Sequence, residues 1–191
     1  FALIHTDIAG PMRTTSVNGY RFFVLFVDDA TRYTKVYFLR HKSELTAAFK
    51  EYKAAVEKAS GYCIKKLRSD NGGEYLSGEM LALIKEAGIT HQLTAPYTPQ
   101  QNGVAEKSNR TIMEMARSML YHARLPQKFW PDAVATAVHI KNRSTHKALP
   151  EKTPEEAWSG VKPDVSHFRV FGCTAYALIP AQLRSILDQK Y

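Results

Sequence analysis

The ten residues YRFFVLFVDD, 20–29, constrain the fold more than any other stretch of this chain. The run is apolar almost without a break, as a strand buried on both faces would be. Such a strand belongs inside a sheet that has helices above and below it. The neighbouring residues supply that sheet. FALIHTDI (1–8) reads as a short strand, broken by Gly-Pro-Met at 10–12. TRYTKVYFL (31–39) alternates and is rich in Tyr, Val and Thr, so it is a strand too. The short join at Asp29-Ala30-Thr31 predicts a hairpin between it and the apolar run.

Helices and strands then alternate. Ser43 with Thr46 opens a helix over 43–59, in which Leu45, Phe49, Tyr52 and Val56 recur at helical spacing and Gly61 makes the stop. YCIKKLRSD (62–70) is the next strand, SGEMLALIKEAG (77–88) a helix with a Gly stop, and ITHQL (89–93) a short strand. The stretch 94–103 holds Pro96, Pro99 and Gly103 and is a loop. Two long helices follow, about 104–123 and 128–143, with Pro126 and Pro131 between them. Beyond Pro150 come a short helix near 154–159 and the apolar pieces FRVFG (168–172) and TAYALI (174–179). Strands 4 and 5 each follow a helix, which is what adding a parallel strand requires. The order predicts an α/β domain with a mixed five-stranded sheet, three antiparallel strands then two parallel, and helices on both faces. Residues 1–150 form its core and 151–191 an extension packed on it or following it.

A chain of 191 residues, 45% hydrophobic, suits one globular domain with a sizeable core. No apolar run approaches the roughly 20 residues of a membrane span, and no secretory signal is read. Phe1 is not a natural initiator, so the chain is expected to be cut from something longer. Cys63 and Cys173 are the only cysteines, which disfavours a disulfide framework or a cysteine-based zinc site and fits a reducing compartment. The net charge is +8, and residues 104–150 hold eight Lys/Arg against three acids. Most of the positive field therefore sits on one largely helical stretch, which points to a polyanion partner.

Three acids carry the chemistry. Asp7 ends strand 1. Asp70 ends strand 4, just before Asn71-Gly72-Gly73. Ligands gather at strand ends in such sheets. If strands 1 and 4 are neighbours, the carboxylates lie side by side, and two like charges about 4 Å apart repel by roughly 4 kcal/mol at an effective dielectric of 20. A divalent cation removes the conflict, and hard carboxylate oxygens suit Mg²⁺ or Mn²⁺. Glu106, in the first turn after the loop, is the candidate third carboxylate. Three acids can hold two ions about 3.5–4 Å apart, with Asp7 bridging, Asp70 on one ion and Glu106 on the other. Lys107 and Arg110 would hold phosphates beside them. Singly, each acid has a plainer role, as a turn or cap residue or as a complement to a helix dipole. Together, in this strand order, they point to phosphoryl transfer.

HTDIAGPM around Asp7, RSDNGGEY around Asp70 and APYTPQQNGVAEKSNRTIMEMARSML around Glu106 resemble the integrase core of copia/Ty-type LTR retrotransposons. Asp70 and Glu106 enclose 35 residues, the spacing typical of retroviral and LTR-element integrases. Residues 27–44, 129–144 and 168–180 also resemble that family, so the likeness covers nearly the whole chain. It implies a ribonuclease-H-like fold, Mg²⁺ as cofactor (two ions, with Mn²⁺ able to substitute), and 3′-end processing and strand transfer of double-stranded element DNA into target DNA. It further implies that Tyr97, Gln100, Gln101 and Asn102 contact DNA from a mobile loop. It implies that Glu74 lies near the site, that the protein works as at least a dimer, and that it acts in the nucleus after a stage in cytoplasmic virus-like particles. The His₂Cys₂ zinc module and the long C-terminal tail of the family's full integrases have no counterpart in these residues. Two rival functions are a non-catalytic DNA-binding remnant of a domesticated integrase and a ribonuclease-H-like nuclease.

Other residues receive structural readings. Asp28 and Asp29 are expected in turn chemistry, and His5, on one strand face with Asp7, as an ordinary hydrogen-bonded histidine. His139 and His146 are expected to be structural or solvent-facing. Cys63 is expected as a small core residue, and Trp130 and Trp158 as packing residues. Met113, Met115, Met119 and Leu120 are expected in the core or at a subunit interface.

Overall fold

The computed structural model describes residues 2–94 and 102–175. Its sheet has five strands: β1 (Ile4–Ala9), β2 (Phe22–Asp28), β3 (Thr34–Leu39), β4 (Lys66–Ser69) and β5 (Thr90–Leu93), in the order β3-β2-β1-β4-β5. β1 pairs antiparallel with β2, and β2 with β3; β1 pairs parallel with β4, and β4 with β5. The mixed sheet inferred from element order is the one that forms.

The apolar run explains itself in β2. Phe23, Leu25 and Val27 face one core; Val24 and Phe26 face the other. The first core is completed by Ile112, Ala116, Trp130, Val134 and Val138 from α3 (Gly103–His122) and α4 (Trp130–Arg143). The second is completed by α1 (Leu45–Ser60) and α2 (Gly78–Glu86). Leu45, Phe49, Tyr52 and Val56 of α1 are all buried there, and the Tyr52 ring stacks on Phe26 with centroids 4.5 Å apart. Met113, Met115, Met119 and Leu120 are half-buried against the α3–α4 core. Trp130 packs against Phe23 and Phe38, and its Nε1 donates to the Thr14 carbonyl at 3.1 Å.

All five strands are shorter than the pattern predicts, and for β3 and β4 the reason is identifiable. β3 starts at Thr34 rather than 31, because Asp28 Oδ2 accepts from both the Thr31 amide (2.9 Å) and the Thr31 hydroxyl (2.8 Å). That side-chain turn takes residues 29–33 out of the ladder. β4 starts at Lys66 rather than 62. Ser60 Oγ accepts from Tyr62 N and Glu57 Oε1 accepts from Ile64 N, so these amides are engaged by α1 instead of a strand. Cys63 lies in that diverted stretch and is exposed, which corrects its placement in the core.

The last described residues dock on this framework. α5 (Pro154–Ser159) has Thr153 as its cap, with Thr153 Oγ1 accepting from Glu156 N. Trp158 stacks on Tyr33 at 4.6 Å, and Glu155 lies 3.5 Å from Arg143 of α4. Residues 168–170 are irregular and 171–172 form a turn; residues 176–179 of the second apolar piece lie outside the described residues. Among the described residues no helix is long and apolar enough to cross a membrane.

Candidate active site

The parallel pairing of β1 with β4 positions the first two acids. Ile4 pairs with Leu67 and His5 with Arg68. Carried two residues on, the same register sets Asp7 opposite Asp70, on strands spaced about 4.8 Å apart. Asp70 directly follows the last residue of β4; Asp7 does not end β1 as expected but stands two residues before its end, still paired with Leu25, because the β1–β2 ladder runs on to Ala9 after β4 has stopped.

Asp7 is half-buried, and Asp70 and Glu106 are exposed. The Asp7 carboxyl is pushed up to about 6, first by its burial and then by the negative charges of Asp70 and Glu106, against the lowering effect of a hydrogen bond from Asn109. The charges of Asp70 and Glu106 are therefore both felt at Asp7. They do not make a finished ligand set: among the described residues, no three His, Cys, Asp or Glu side chains are grouped to hold a metal ion. Glu106 stands in the first turn of α3, directly after residues 95–101, which lie outside the described residues.

Asp70 is fixed by local chemistry. Its Oδ1 accepts from the Gly72 amide at 3.0 Å, and Asn71 Nδ2 donates to the Thr94 carbonyl at 2.8 Å. A Cβ at position 72 would sit 3.0 Å from Asp70 Oδ1 and 3.0 Å from the Glu74 carboxyl carbon, so glycine leaves room for two carboxylates that a side chain here would push aside by a few tenths of an ångström. Glu74 is thus near the site, but Lys42 Nζ donates to its Oε1 at 2.8 Å and neutralises it. Beneath the acids, the buried Tyr75 hydroxyl lies 3.1 Å from Thr6 Oγ1; burial first, and then the surrounding carboxylates, hold its pKa well up.

Asn109 is the residue that sequence reasoning missed. Its Nδ2 donates to Asp7 Oδ2 at 2.6 Å from α3, one turn after Glu106. Its Oδ1 is buried without a hydrogen-bond partner. An unsatisfied buried oxygen beside a raised carboxyl fits a site that receives a cation or a polar ligand. The hard-oxygen donors Asp7 and Asp70, with Glu106 within electrostatic reach, fit Mg²⁺ or Mn²⁺. The helical spacing of Asn109 from Glu106 was the one available sign of its position.

The expected DNA contacts are distributed differently. Tyr97, Gln100 and Gln101 lie outside the described residues. Asn102 is buried, and its Nδ2 donates to the Thr6 carbonyl at 3.2 Å, so its side chain braces β1 rather than meeting solvent. Arg110 is exposed and lies one turn from Glu106, on the same side of α3. Lys107 is turned about 100° round the helix and lines a separate cleft with Arg32 and Lys141. His5 is buried, and its Nε2 donates to Asp29 Oδ1 at 2.9 Å, the ordinary role expected of it.

Residues 1–99 match the model of the integrase core domain family. That span includes Asp7 and Asp70 and stops short of Glu106. The retrovirus-related Pol polyprotein from transposon TNT 1-94 of Nicotiana tabacum is 46% identical over 98% of this chain. The corresponding polyprotein from transposon RE2 of Arabidopsis thaliana is 36% identical over 92% of it. The chain spans only 14% and 12% of those two polyproteins. Among solved structures, a chain of the simian T-cell lymphotropic virus intasome in complex with PP2A regulatory subunit B56 gamma matches 91% of this chain and 65% of its own, with a TM-score of 0.67 at 17% identity. The HTLV-2 integrase catalytic core domain, solved with magnesium in a trimeric form, matches 82% of this chain and 95% of its own, with a TM-score of 0.62 at 18% identity. The fold is ribonuclease-H-like.

Proposed function

Because the chain belongs to the integrase core family, as the core domain of a retrotransposon Pol polyprotein, we propose that it is a Mg²⁺-dependent polynucleotidyl transferase. It trims the 3′ ends of element DNA and joins them to target DNA. The observation that carries this reading is the register that sets Asp7 opposite Asp70, with the charge of Glu106 felt at Asp7.

In this reading Asp7, Asp70 and Glu106 hold two divalent ions. Metal held there would offset the carboxylate charge and would supply activation of a water or 3′-hydroxyl and stabilisation of a leaving oxygen. The chain's own residues orient and hold. Asn109 fixes one Asp7 oxygen, so the other oxygen faces the site. The Gly72 amide fixes Asp70 Oδ1. Lys42 keeps Glu74 out of the ligand set. Arg110, beside Glu106, holds a backbone phosphate of the DNA. A hydroxyl nucleophile of this kind requires no covalent protein intermediate. The functional unit is at least a dimer and acts on DNA in the nucleus.

The test is a Mg²⁺-dependent cleavage-and-joining assay on short duplex ends, comparing the unmutated chain with Asp70→Asn. The reading requires both trimmed and joined products, and loss of both in the variant. Trimming without joining would indicate a hydrolase of the same fold. DNA binding with neither product would indicate a non-catalytic binding module.

A further inference from the structure

Across α3 from Asp7 lies a second concavity, a cleft of about 590 Å³ between the N-terminal half of α3, the end of α4 with residues 144–148, and the β2–β3 turn. Arg32, Lys107, Lys141 and His146 line it, with Ser108 and Thr111, and none of the described residues lining it is acidic. α3 contributes these groups from the side opposite Asn109: Lys107, Ser108 and Thr111 fall on one face, Glu106, Asn109 and Arg110 on the other.

Lys141 and Arg32 are held in place. Lys141 is largely buried, and its Nζ donates to Thr34 Oγ1 at 2.9 Å. Thr34 Oγ1 in turn donates to the Arg32 carbonyl at 3.1 Å, tying the lysine to the turn that carries the arginine. Asn142, the next residue of α4, bonds both the amide and the carbonyl of Thr34. One Arg32 nitrogen is engaged by Asp29 Oδ1 at 3.1 Å, an acid that His5 shares. The charges press on one another. Burial and then Arg32 bring Lys141 down to about 8. Burial, then Lys141, Arg32 and Lys107, lower His146. Gathering positive groups around a concavity without a lining acid costs stability unless an anion occupies it.

We propose that this cleft is a phosphate-binding site, with Lys107 and Lys141 as its principal charges and the hydroxyls of Ser108 and Thr111 as added donors. A phosphate takes several donors at once, and the lining offers the ammonium groups of Lys107 and Lys141 with the hydroxyls of Ser108 and Thr111. The phosphate comes either from a nucleic-acid backbone or from a free polyphosphate. The site is separate from the carboxylates and stands whether or not they hold metal.

The experiment titrates the protein with tripolyphosphate and follows the lysine Cε signals by NMR, in the unmutated chain and in Lys107→Ala, Lys141→Met, Lys58→Ala and Asp70→Asn. Lys107 is exposed, so its truncation leaves the core intact; Lys58 is an exposed lysine on α1 and controls for diffuse charge. Saturable binding at or below about 1 mM is expected, with the Lys141 signal moving as its pKa rises. Affinity should fall at least about tenfold in Lys107→Ala and be unchanged in Lys58→Ala and Asp70→Asn. Displacement of tripolyphosphate by a short duplex makes the natural occupant a DNA backbone phosphate; simultaneous binding of both makes it a free polyphosphate. Absence of saturation, or equal weakening by Lys58→Ala, overturns the site. Loss of DNA joining in Asp70→Asn with tripolyphosphate binding intact separates this site from the proposed catalytic one.

Discussion

Asn109 donates from Nδ2 to Asp7 Oδ2 across 2.6 Å, joining helix α3 to strand β1 over 102 residues of sequence. The bond lowers the Asp7 pKa while burial and two neighbouring carboxylates raise it. Asn109 is therefore a positioning residue. It decides which carboxylate oxygen is committed to the protein and which is offered to the site.

Asn109→Ala should lower the rate of DNA cleavage about ten- to hundredfold, with little change in the concentration of DNA needed for half-maximal rate. It should also shift the acidic limb of the pH–rate profile to higher pH, because the hydrogen bond that favours the charged Asp7 is gone. A general packing defect would slow the reaction without moving that limb. A pH–rate profile of the variant beside the unmutated chain decides between the two.

Asp7→Asn should stabilise the protein, in a way that depends on pH. The folded-state pKa of about 6 lies above the ordinary 3.8. Stability from this group is full below about pH 4 and is lost as pH rises through 6, where the folded state must carry a disfavoured charge. The amide escapes that cost. After discounting for partial exposure, the gain at pH 8 is about 1–2 kcal/mol, a Tm rise of roughly 3–6 °C. It should vanish near pH 4. Thermal melts at both values test it, and an equal Tm difference at pH 4 would place its cause outside Asp7 ionisation.

Divalent ions should stabilise the unmutated chain through the same carboxylates. An ion that binds only the folded state adds about 2.7 kcal/mol at a hundred times its dissociation constant. Melting curves with increasing Mg²⁺ at pH 8 should rise for the unmutated chain and stay flat for Asp7→Asn and Asp70→Asn. Parallel rises in all three proteins would put the ion elsewhere.

Much of this arrangement could be read from the chain alone, and the exceptions share a cause. The buried run at 22–28 forced helices onto both faces, because its alternate residues feed two separate cores. The strand order brought Asp7 and Asp70 to one end of the sheet, since a helix between β3 and β4 makes a parallel β1–β4 pair available. What stayed hidden depends on side chains meeting across long separations. Apart from its spacing from Glu106, nothing near Asn109 distinguishes it from any polar residue on a helix, and its partner is on β1. Lys107 follows Glu106 directly, so proximity in sequence suggested a shared role, whereas the helical turn sends it to a different cleft. The cleft needs Arg32 and Lys141, which only the finished fold brings together. The late start of β4 rests on Glu57 capturing the Ile64 amide, a contact that alternation cannot reveal.

Asn142 provides the last prediction, and it concerns the frame rather than the chemistry. Its Oδ1 accepts from the Thr34 amide at 3.0 Å and its Nδ2 donates to the Thr34 carbonyl at 2.8 Å, both in a buried setting. Thr34 is the first residue of β3, so this pair fastens the end of α4 to the sheet edge. Asn142→Ala leaves a buried amide and a buried carbonyl without that partner, at a cost of about 2–4 kcal/mol and a Tm drop of roughly 5–12 °C. Because Lys141 bonds the Thr34 hydroxyl beside it, the same change should loosen the basic cleft and expose Lys141 to amine-directed labelling. The carboxylates, positioned from β1, β4 and α3, should keep their Mg²⁺-induced Tm rise. If Asn142→Ala melts with the unmutated chain, Thr34 does not depend on this clamp and α4 is held by its apolar face alone.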